Sequence, residues 1–459
     1  MGAWATSGAF RAPRRWGLSP QPAGVPGRRG LCGILLFSCL LLSALMLIPS
    51  SATARRTGSA VGRTGANLVE VRFVSRAALR RALREHPARL VRVVAALHVA
   101  ELRPTGDVLA FERAIRAAAG ISSVREVVRR AAAESSVYAT SGDSTSAAGA
   151  VEWQFSAIGV DRVPAAVISA ARNITIAVVD TGADTTAPDL AGRIAGAYDV
   201  RTGAHTAVDR NGHGTFVASL AAGSAAPVPG VTGSNGGARL LIVKVADASS
   251  FTDIDVAGGI LYAVGHGARI INLSVAGRTP SPVEEAAIDY AARRGVLLVA
   301  AAGNDALSGD PPEYPAAFLQ PVGSAGVGGL GLVVGASDPL GNRAPFSEFG
   351  SFVSVAAPGV SVVGAVTPGS SEVMFPRSPP GNAFAAGLHG SASGTSFAAP
   401  QVAGAAALVW AANPRLSAGQ VAEVLKATAS GHGSWTPGTG FGVIDVAAAV
   451  DLAIDTVTH

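Results

Sequence analysis

The sequence of 459 residues predicts an α/β protein whose main body is a doubly wound, mostly parallel sheet, preceded by a small α+β domain. Two observations carry this prediction. After Trp153, short apolar segments alternate with helical ones, and strands that are apolar throughout are typical of parallel sheets covered by helices on both faces. With 49% apolar and 15% charged residues, the chain also has the composition of a protein with a large core rather than that of a disordered one.

A leader is predicted for residues 1–54. Residues 31–48 form an uncharged apolar run that follows two arginines, and the small residues of 52–54 suit a signal peptidase. We expect a secretory signal peptide, with an uncleaved membrane anchor as the alternative, because this run approaches the length that spans a bilayer. The chain's two cysteines, Cys32 and Cys39, lie inside the run, which excludes a disulfide scaffold or a zinc finger farther along.

A small basic domain is predicted for residues 55–140. Its predicted elements are a strand at Leu68–Val74, a helix capped by Ser75 that runs to His86, a β-rich segment at Leu90–Leu102, a helix at Asp107–Ala119 and a strand at Val124–Val128. This β-α-β-β-α-β order predicts a ferredoxin-like domain, with a generic small domain as the alternative. The polar, small-residue stretch that follows predicts a linker with a processing site at 141–152.

The main domain is predicted for residues 153–459. The predicted strands are Ile174–Val179, Leu240–Val245, Arg269–Ser274, Val296–Ala301 and Leu332–Gly335. The predicted helices are 253–265, 282–294, 397–411 and 417–428. In such a sheet the ligand site lies at the carboxyl ends of the strands.

Three motifs place an Asp, a His and a Ser at positions of this kind. Asp180 ends a strand in IAVVDTG, His213 opens a helix in DRNGHGTFVASLAAG, and Ser396 begins a helix in SGTSFAAPQVAGAAAL. A hydroxyl is a poor nucleophile near neutral pH, so an imidazole must take its proton and a carboxylate must orient that imidazole. The chain order Asp, His, Ser is one of the known orders of a serine triad.

A fourth motif, LLVAAAGNDA, ends a predicted strand at Asn304. A side-chain amide there predicts a donor for the oxyanion of a tetrahedral intermediate, and loss of such a donor typically costs about 100- to 1000-fold in rate. Ser396, at a helix N-terminus, also lies in the positive end of the helix dipole.

These four blocks, in this order and spacing, resemble the subtilisin family of serine endopeptidases over roughly residues 153–450. The resemblance implies a catalytic triad of Asp180, His213 and Ser396, and it implies that Asn304 is the oxyanion-hole asparagine. It also implies that residues 55–140 are an inhibitor-type prosegment, which acts as a folding chaperone and an inhibitor.

The resemblance further implies two substrate-binding segments. Ser274, Val275 and Ala276 resemble the strand that pairs with the substrate backbone, and Ala301, Ala302 and Gly303 resemble the wall of the pocket for the residue before the cut. Ala276 stands where the family usually has glycine, so its methyl group predicts a narrowed pocket mouth and a preference for modest apolar side chains. Residues 365–391 are longer than the family's usual approach to the nucleophile, which predicts either a loop that shapes the leaving-group side of the cleft or a tolerated surface insertion.

The predicted chemistry requires no cofactor. Asp189 matches a calcium ligand of many relatives, so calcium is possible there. The companion loop 223–237, however, has few of the side-chain oxygens that calcium needs, and no metal site is predicted beyond this weak candidate.

The formal net charge of +5 is unevenly distributed. Residues 1–54 carry +5, residues 55–140 carry +9 and residues 141–459 carry −9. An acidic main domain argues against nucleic acid as a partner. The expected partners are peptide or protein substrates and the chain's own prosegment, with a membrane only through residues 31–48 if they are not cleaved, and we expect a monomer.

The sequence therefore predicts a secreted serine endopeptidase made as an autoprocessed zymogen. One alternative is a membrane-tethered processing protease of narrow specificity. Another is a non-catalytic binding scaffold, which an intact triad with Asn304 disfavours. An esterase lacks support, because Ser396 follows Gly394-Thr395 rather than standing in a Gly-x-Ser-x-Gly elbow.

Overall fold

The computed structural model describes residues 67–132, 153–224, 230–232, 237–247, 250–370, 374–375 and 389–457. The predicted leader and the predicted linker at 141–152 lie outside these ranges, as does much of the loop 365–391. All described residues belong to one unit of the chain, Thr64–His459.

The first described segment is a four-stranded antiparallel sheet with two helices. Its elements are β1 (Val69–Phe73), α1 (Arg76–Glu85), β2 (Ala88–Val94), β3 (Val99–Pro104), α2 (Val108–Arg116) and β4 (Ile121–Glu126). The strand order is β2-β3-β1-β4, which confirms the predicted β-α-β-β-α-β arrangement. Both helices begin at side-chain caps, since Ser75 Oγ accepts from the Ala78 N–H at 3.1 Å and Asp107 Oδ1 from the Ala110 N–H at 2.7 Å. A fifth strand, β5 (Arg129–Ala132), follows and was not predicted.

The strands of the main domain are β6 (Thr175–Asp180), β7 (Ile194–Asp199), β8 (Arg239–Lys244), β9 (Ser250–Thr252), β10 (Ile270–Leu273), β11 (Val275–Ala276), β12 (Leu297–Ala301), β13 (Gly331–Ser337), β14 (Val355–Pro358), β15 (Val362–Ala365) and β16 (His389–Ala392). Its helices are α3 (Trp153–Ala157), α4 (Ala165–Ala170), α5 (His213–Ala222), α6 (Asp253–Gly265), α7 (Pro282–Arg293), α8 (Ala316–Leu319), α9 (Thr395–Ala412), α10 (Ala418–Ala427) and α11 (Val446–Asp455). The predicted strands and helices are all present, with ends shifted by one or two residues. The elements that were not predicted are β7, β9, β14, β15, β16, α3, α4, α8 and α11.

Seven parallel strands form the central sheet in the order β14-β13-β12-β10-β6-β8-β7, which confirms the predicted doubly wound fold. Successive residues of β6 are buried on opposite faces. Ile176 and Val178 pack in the layer that contains α5 and α9, and Ala177 and Val179 pack in the layer that contains α6 and α7. Strand order reverses beside β6, and ligands bind such sheets at the carboxyl ends of the strands near this point.

Helix α9 positions the candidate nucleophile. It packs against β6, β10, β12, β13 and β14, and its first 16 residues are buried. A helix covered on all sides needs no polar stripe, which explains its almost uniformly apolar sequence. Its N-terminus, with Ser396 as the second residue, therefore lies beside the carboxyl edge of the sheet.

Strand β5 lies between β11 and β9 and is antiparallel to both. Its sequence, Arg-Arg-Ala-Ala, carries no apolar run, so the strand is defined by its partners rather than by its own residues. Among the described residues no helix is long and apolar enough to cross a bilayer.

Candidate active site

Asp180 and His213 meet at the carboxyl edge of the central sheet. Asp180 is the last residue of β6 and His213 is the first residue of α5. Asp180 Oδ1 lies 2.8 Å from His213 Nδ1, and both side chains are fully buried. The carboxylate can only accept, so this contact places a proton on Nδ1 and leaves Nε2 as the nitrogen that can exchange a proton with a substrate or nucleophile.

Two glycines allow the backbone segments behind this pair to touch. A Cβ atom on Gly214 would overlap the carbonyl oxygen of Gly182, and one on Gly182 would overlap the carbonyl oxygen of Ala207. Gly182 also has a φ of +117°, in the region that favours glycine. Larger residues at these positions would separate β6 from the start of α5.

Asp209 ties the same two segments together, and sequence reasoning missed it. Its Oδ1 accepts from Thr181 Oγ1, which follows the strand, and from the backbone N–H groups of Asn211 and Gly212, each at 2.9 Å. Its Oδ2 accepts from the Thr215 N–H at 2.9 Å and from Thr215 Oγ1 at 2.6 Å. An acid just before the N-terminus of α5 was the available signal, because carboxylates are favoured there.

Ser396 is held close to the predicted substrate strand. Its Oγ donates to the carbonyl oxygen of Ser274 at 3.0 Å, and Ser274 Oγ donates to the carbonyl oxygen of Ser396 at 2.8 Å. The ring of the next residue, Phe397, lies 5.5 Å from the His213 ring between centroids. The nucleophile candidate, the imidazole and the strand that begins at Val275 are therefore neighbours.

Asn304 presents an unused donor beside Ser396. Its Oδ1 accepts from the Thr395 N–H at 3.0 Å and from Thr395 Oγ1 at 3.1 Å. A backbone N–H can only donate, so this bond fixes the amide orientation and directs Nδ2 away from Thr395. Within the described part of the chain the buried Nδ2 has no hydrogen-bond partner. It can donate to an oxyanion that forms next to Ser396.

The predicted substrate strand is paired with β5. Val275 lies opposite Ala132 and Ala276 lies opposite Ala131, in an antiparallel register. Of the predicted pocket wall, Ala301 and Ala302 are completely buried.

The third residue of that wall, Gly303, contacts two acidic side chains that sequence reasoning did not single out. A Cβ atom on Gly303 would overlap the Glu313 carboxylate, and the backbone N–H of Glu348 donates to the Gly303 carbonyl oxygen at 3.0 Å. Glu313 is 6% exposed and Glu348 is fully buried. Among the described residues neither carboxylate oxygen of Glu348 has a hydrogen-bond partner.

Burial is the main cause of the raised pKa values of Glu313 and Glu348. It raises the pKa of Glu313 to about 7, with the charge of Asp305 as the next cause. Burial also raises the pKa of Glu348 to about 9, assisted by the neighbouring charge of Glu313. Near neutral pH, Glu348 therefore carries its proton.

The calcium candidate Asp189 faces an imidazole. Its buried Oδ1 lies 3.0 Å from Nε2 of His389, a residue of the long loop 365–391. The companion loop 223–237 is only partly described, and the described residues hold no group of three or more His, Cys, Asp or Glu side chains placed to bind a metal ion. Calcium at Asp189 stays a prediction.

The described ends of the loop 365–391 pack onto the site. Strands β15 and β16 pair antiparallel at its base, and Phe375 is buried with its ring 5.3 Å from that of Phe216 in α5. The Phe375 ring is also 6.3 Å from that of Phe397. These contacts connect the loop to both helices that carry candidate catalytic residues.

Comparison with known proteins gives a consistent result. A model described as the subtilase family matches residues 171–442. Thermitase from Thermoactinomyces vulgaris is 35% identical over 268 residues, which cover 57% of this chain and 85% of thermitase. The thermophilic serine proteinase of Bacillus sp. (strain AK1) is 37% identical over 235 residues, and the matching region spans 51% of each chain, about half the length of that relative.

A solved structure supports the same fold. The crystal structure of fervidolysin from Fervidobacterium pennivorans, a keratinolytic enzyme related to subtilisin, superposes with a TM-score of 0.69 at 26% identity. The superposition covers 84% of this chain and 61% of fervidolysin.

The raised pKa of Glu348 predicts a pH-dependent stability. An unfolded Glu releases its proton near pH 4.5, whereas the folded protein keeps it until about pH 9, so the native state binds more protons over this interval. The free energy of unfolding must then fall as pH rises, by at most about 1.4 kcal/mol per pH unit for this group. In a Ser396→Ala background, we expect Glu348→Gln to leave Tm nearly unchanged at pH 5 and to raise it by several degrees at pH 9, measured by circular dichroism.

Glu285→Gln is the matched control, because Glu285 is exposed. It should leave the pH dependence of Tm as in the parent. Parallel curves for Glu348→Gln and the parent between pH 5 and pH 9 would contradict the prediction.

Proposed function

The chain belongs to the subtilase family, and from that premise we propose that it is a serine endopeptidase that cleaves peptide bonds with Asp180, His213 and Ser396. The observation that carries the proposal is the buried 2.8 Å contact between Asp180 and His213, formed beside a serine at a helix N-terminus. The supporting feature is the unpaired Nδ2 of Asn304 in the described part of the chain.

In the proposed mechanism, Ser396 Oγ attacks the substrate carbonyl carbon and passes its proton to Nε2 of His213. Asp180 holds the imidazole through Nδ1 and stabilises its charged form. Asn304 Nδ2 donates to the oxyanion, and the N-terminal dipole of α9 favours the same negative charge. The imidazolium then protonates the leaving amine, an acyl-enzyme remains on Ser396, and a water activated by His213 hydrolyses it.

A substrate would bind as an extended strand along β11. Ser274, Val275 and Ala276 would supply backbone hydrogen bonds, and Ala301, Ala302 and Gly303 would form the wall next to the residue before the cut. The antiparallel pairing of β5 with β11 supports this proposal, because it places an extended segment of the same chain along the same edge.

We propose that residues 55–140 are a prosegment that keeps the protease inactive until the chain is cut in the linker at 141–152 or just before it. Its last described strand, β5, fills the edge that a substrate requires. Two ion pairs join residues of β4 and β2 in the proposed prosegment to the first turn of α6. Arg125 Nη2 lies 2.9 Å from Asp253 Oδ2, and Arg92 contacts Asp255. These ion pairs bring basic side chains of residues 55–140 into contact with acidic side chains of the main domain.

The proposed location is extracellular, after removal of a signal peptide that contains residues 31–48. The alternative, a membrane-tethered protease, would keep these residues as an anchor. No cofactor is needed for the proposed chemistry, and the proposed state of the enzyme is a monomer.

Autoprocessing predicts a difference between the parent chain and Ser396→Ala. We expect the parent to yield a shortened product, whereas Ser396→Ala should remain as the precursor because it lacks the nucleophile. Electrophoresis with N-terminal sequencing checks this outcome, and a fluorophosphonate probe should label only the parent product. Equal maturation of both proteins would contradict autoprocessing, and an unlabelled parent would favour the non-catalytic scaffold.

Asn304→Ala tests the proposed oxyanion donor. We expect kcat to fall about 100- to 1000-fold with a small change in KM, because the donor acts mainly in the transition state. The control is Asn342→Ala at an exposed position, which should keep the parent kcat. A proportional rise in KM at unchanged kcat would remove Asn304 from this role.

Charge pairing predicts that inhibition of the mature enzyme by isolated residues 55–140 weakens with salt. We expect the inhibition constant to rise about tenfold between 0.05 and 0.5 M NaCl, with a smaller rise for Arg125→Gln, which lacks the Asp253 contact. Arg80→Gln is the control, since Arg80 is an exposed residue of α1. Salt-independent inhibition would exclude electrostatic support for the complex.

A further inference from the structure

One arginine of β5 is completely buried against the main domain. Arg130 donates from Nε and Nη2 to Glu284 Oε2, at 3.1 and 2.5 Å, and both side chains have no exposed surface. Side chains of β5 alternate, so Arg130 and Ala132 face the protein body while Arg129 and Ala131 face outward. The buried guanidinium is thus a side chain of an extended strand that enters a pocket at the side of the cleft.

The position of Arg130 can be counted from the candidate nucleophile. Ala132 lies opposite Val275, so the next residue of a strand in this register comes opposite Ser274. The carbonyl oxygen of Ser274 accepts the hydrogen bond from Ser396 Oγ. Because Ser396 lies at Ser274, we infer that the residue opposite Ser274 is the last one before the scissile bond, and the residue in the place of Arg130 is then the fourth before the bond.

The pocket around Glu284 is built for a cation. Glu284 lies in the first turn of α7, where its backbone N–H donates to the capping Ser281 Oγ at 3.3 Å. Burial raises the pKa of Glu284, and the charge of Arg130 is the leading opposing influence. When β5 leaves, the carboxylate loses this partner, and a carboxylate that has lost its partner favours the return of a positive group.

A second acidic group reinforces this preference. Arg130 also lowers the pKa of Glu313, the residue that lies against Gly303. Arg130 thus contacts the carboxylate of Glu284 and also lies within electrostatic reach of Glu313. A cation in this position is attracted by both, whereas an apolar side chain leaves Glu284 without a partner.

We propose that Glu284 determines substrate specificity and that the mature enzyme selects peptides with arginine at the fourth position before the cut. The inference rests on the proposed protease function. Lysine is a weaker fit, because two nitrogens of one planar guanidinium reach the same carboxylate oxygen, and an ammonium on a flexible stem does not reproduce that fork. The preference for modest apolar side chains predicted from Ala276 concerns the pocket for the residue directly before the cut. It makes no prediction about the residue at the fourth position before the cut.

The test uses the mature enzyme and four internally quenched peptides of sequence X-Ala-Ala-Ala with identical residues after the cut. X is Arg, Lys, Gln or Leu, and mass spectrometry of the products locates the cut after the third alanine. We expect kcat/KM for the Arg peptide to exceed that for the Leu peptide by about 10- to 100-fold, a factor typical of a charge-assisted hydrogen bond, with Lys in between. Equal kcat/KM for Arg and Leu, or a cut at another position, would overturn the proposal.

Three variants assign the effect to Glu284. Glu284→Gln should reduce the advantage of Arg over Leu to within about threefold, and Glu284→Leu should reverse it, with the Leu peptide cleaved at least as fast as by the parent. Glu285→Gln, at the exposed neighbouring position, should keep the full preference for Arg. A preference that survives Glu284→Leu would assign it to another residue and overturn the role of Glu284.

Two further results keep the test decisive. If the single variants fail to mature because Arg130 is left buried without a partner, the double variant Arg130→Leu/Glu284→Leu replaces the ion pair with two apolar groups, and its peptide series gives the same comparison. A parent enzyme that cleaves no peptide and takes up no fluorophosphonate refutes the proposed function itself. Cleavage and labelling without a preference for Arg refute only the specificity.

Discussion

The contact between the Asp180 carboxylate and the His213 imidazole is the constraint on which the rest of the site depends. A carboxylate without access to water is stable only when its neighbours replace the lost hydration, and the imidazole N–H supplies one such replacement. The strand that ends at Asp180 must then lie against the start of α5. The bare backbones of Gly182 and Gly214 permit this approach, and the carboxylate of Asp209 holds both segments in place. The end of β6, the two glycines and Asp209 together hold the hydrogen bond between Asp180 and His213 in place.

The buried acids of the cleft fall into two kinds. Glu284 has a guanidinium partner from β5, whereas Glu348 has no hydrogen-bond partner for its carboxylate within the described chain and is expected to be protonated. Buried ion pairs add little net stability over apolar packing, but they penalise strongly any partner that lacks the matching charge. Glu284 therefore acts mainly by discrimination, and Arg130 of β5 supplies the cation that matches it.

Much of the fold could be predicted from the sequence, because strands buried on both faces produce apolar runs and their polar ends, such as Asp180, stand out. Strand β5 could not, since its two arginines and two alanines form a strand only between partners that come more than roughly 100 residues later. The roles of Asp209 and Glu348 were equally hidden. An acidic residue is usually solvated. Only the packing of distant segments places Asp209 at the start of α5, where it accepts hydrogen bonds, and leaves Glu348 buried. The candidate site residues that stand in sequence motifs could be predicted, whereas those whose role depends on distant segments packed around them could not.

The three-stranded arrangement of β11, β5 and β9 has a consequence for solubility. Removing the middle strand leaves two unpaired edges that face one gap, and exposed sheet edges are the usual starting points of aggregation. Here the edges are only two and three residues long. Such short edges can hold one extended peptide between them, but they offer too little backbone for a second sheet to extend the first. Under the proposed processing, the same shortness would confine a bound substrate to a few paired residues and would keep the mature enzyme from pairing with its own copies.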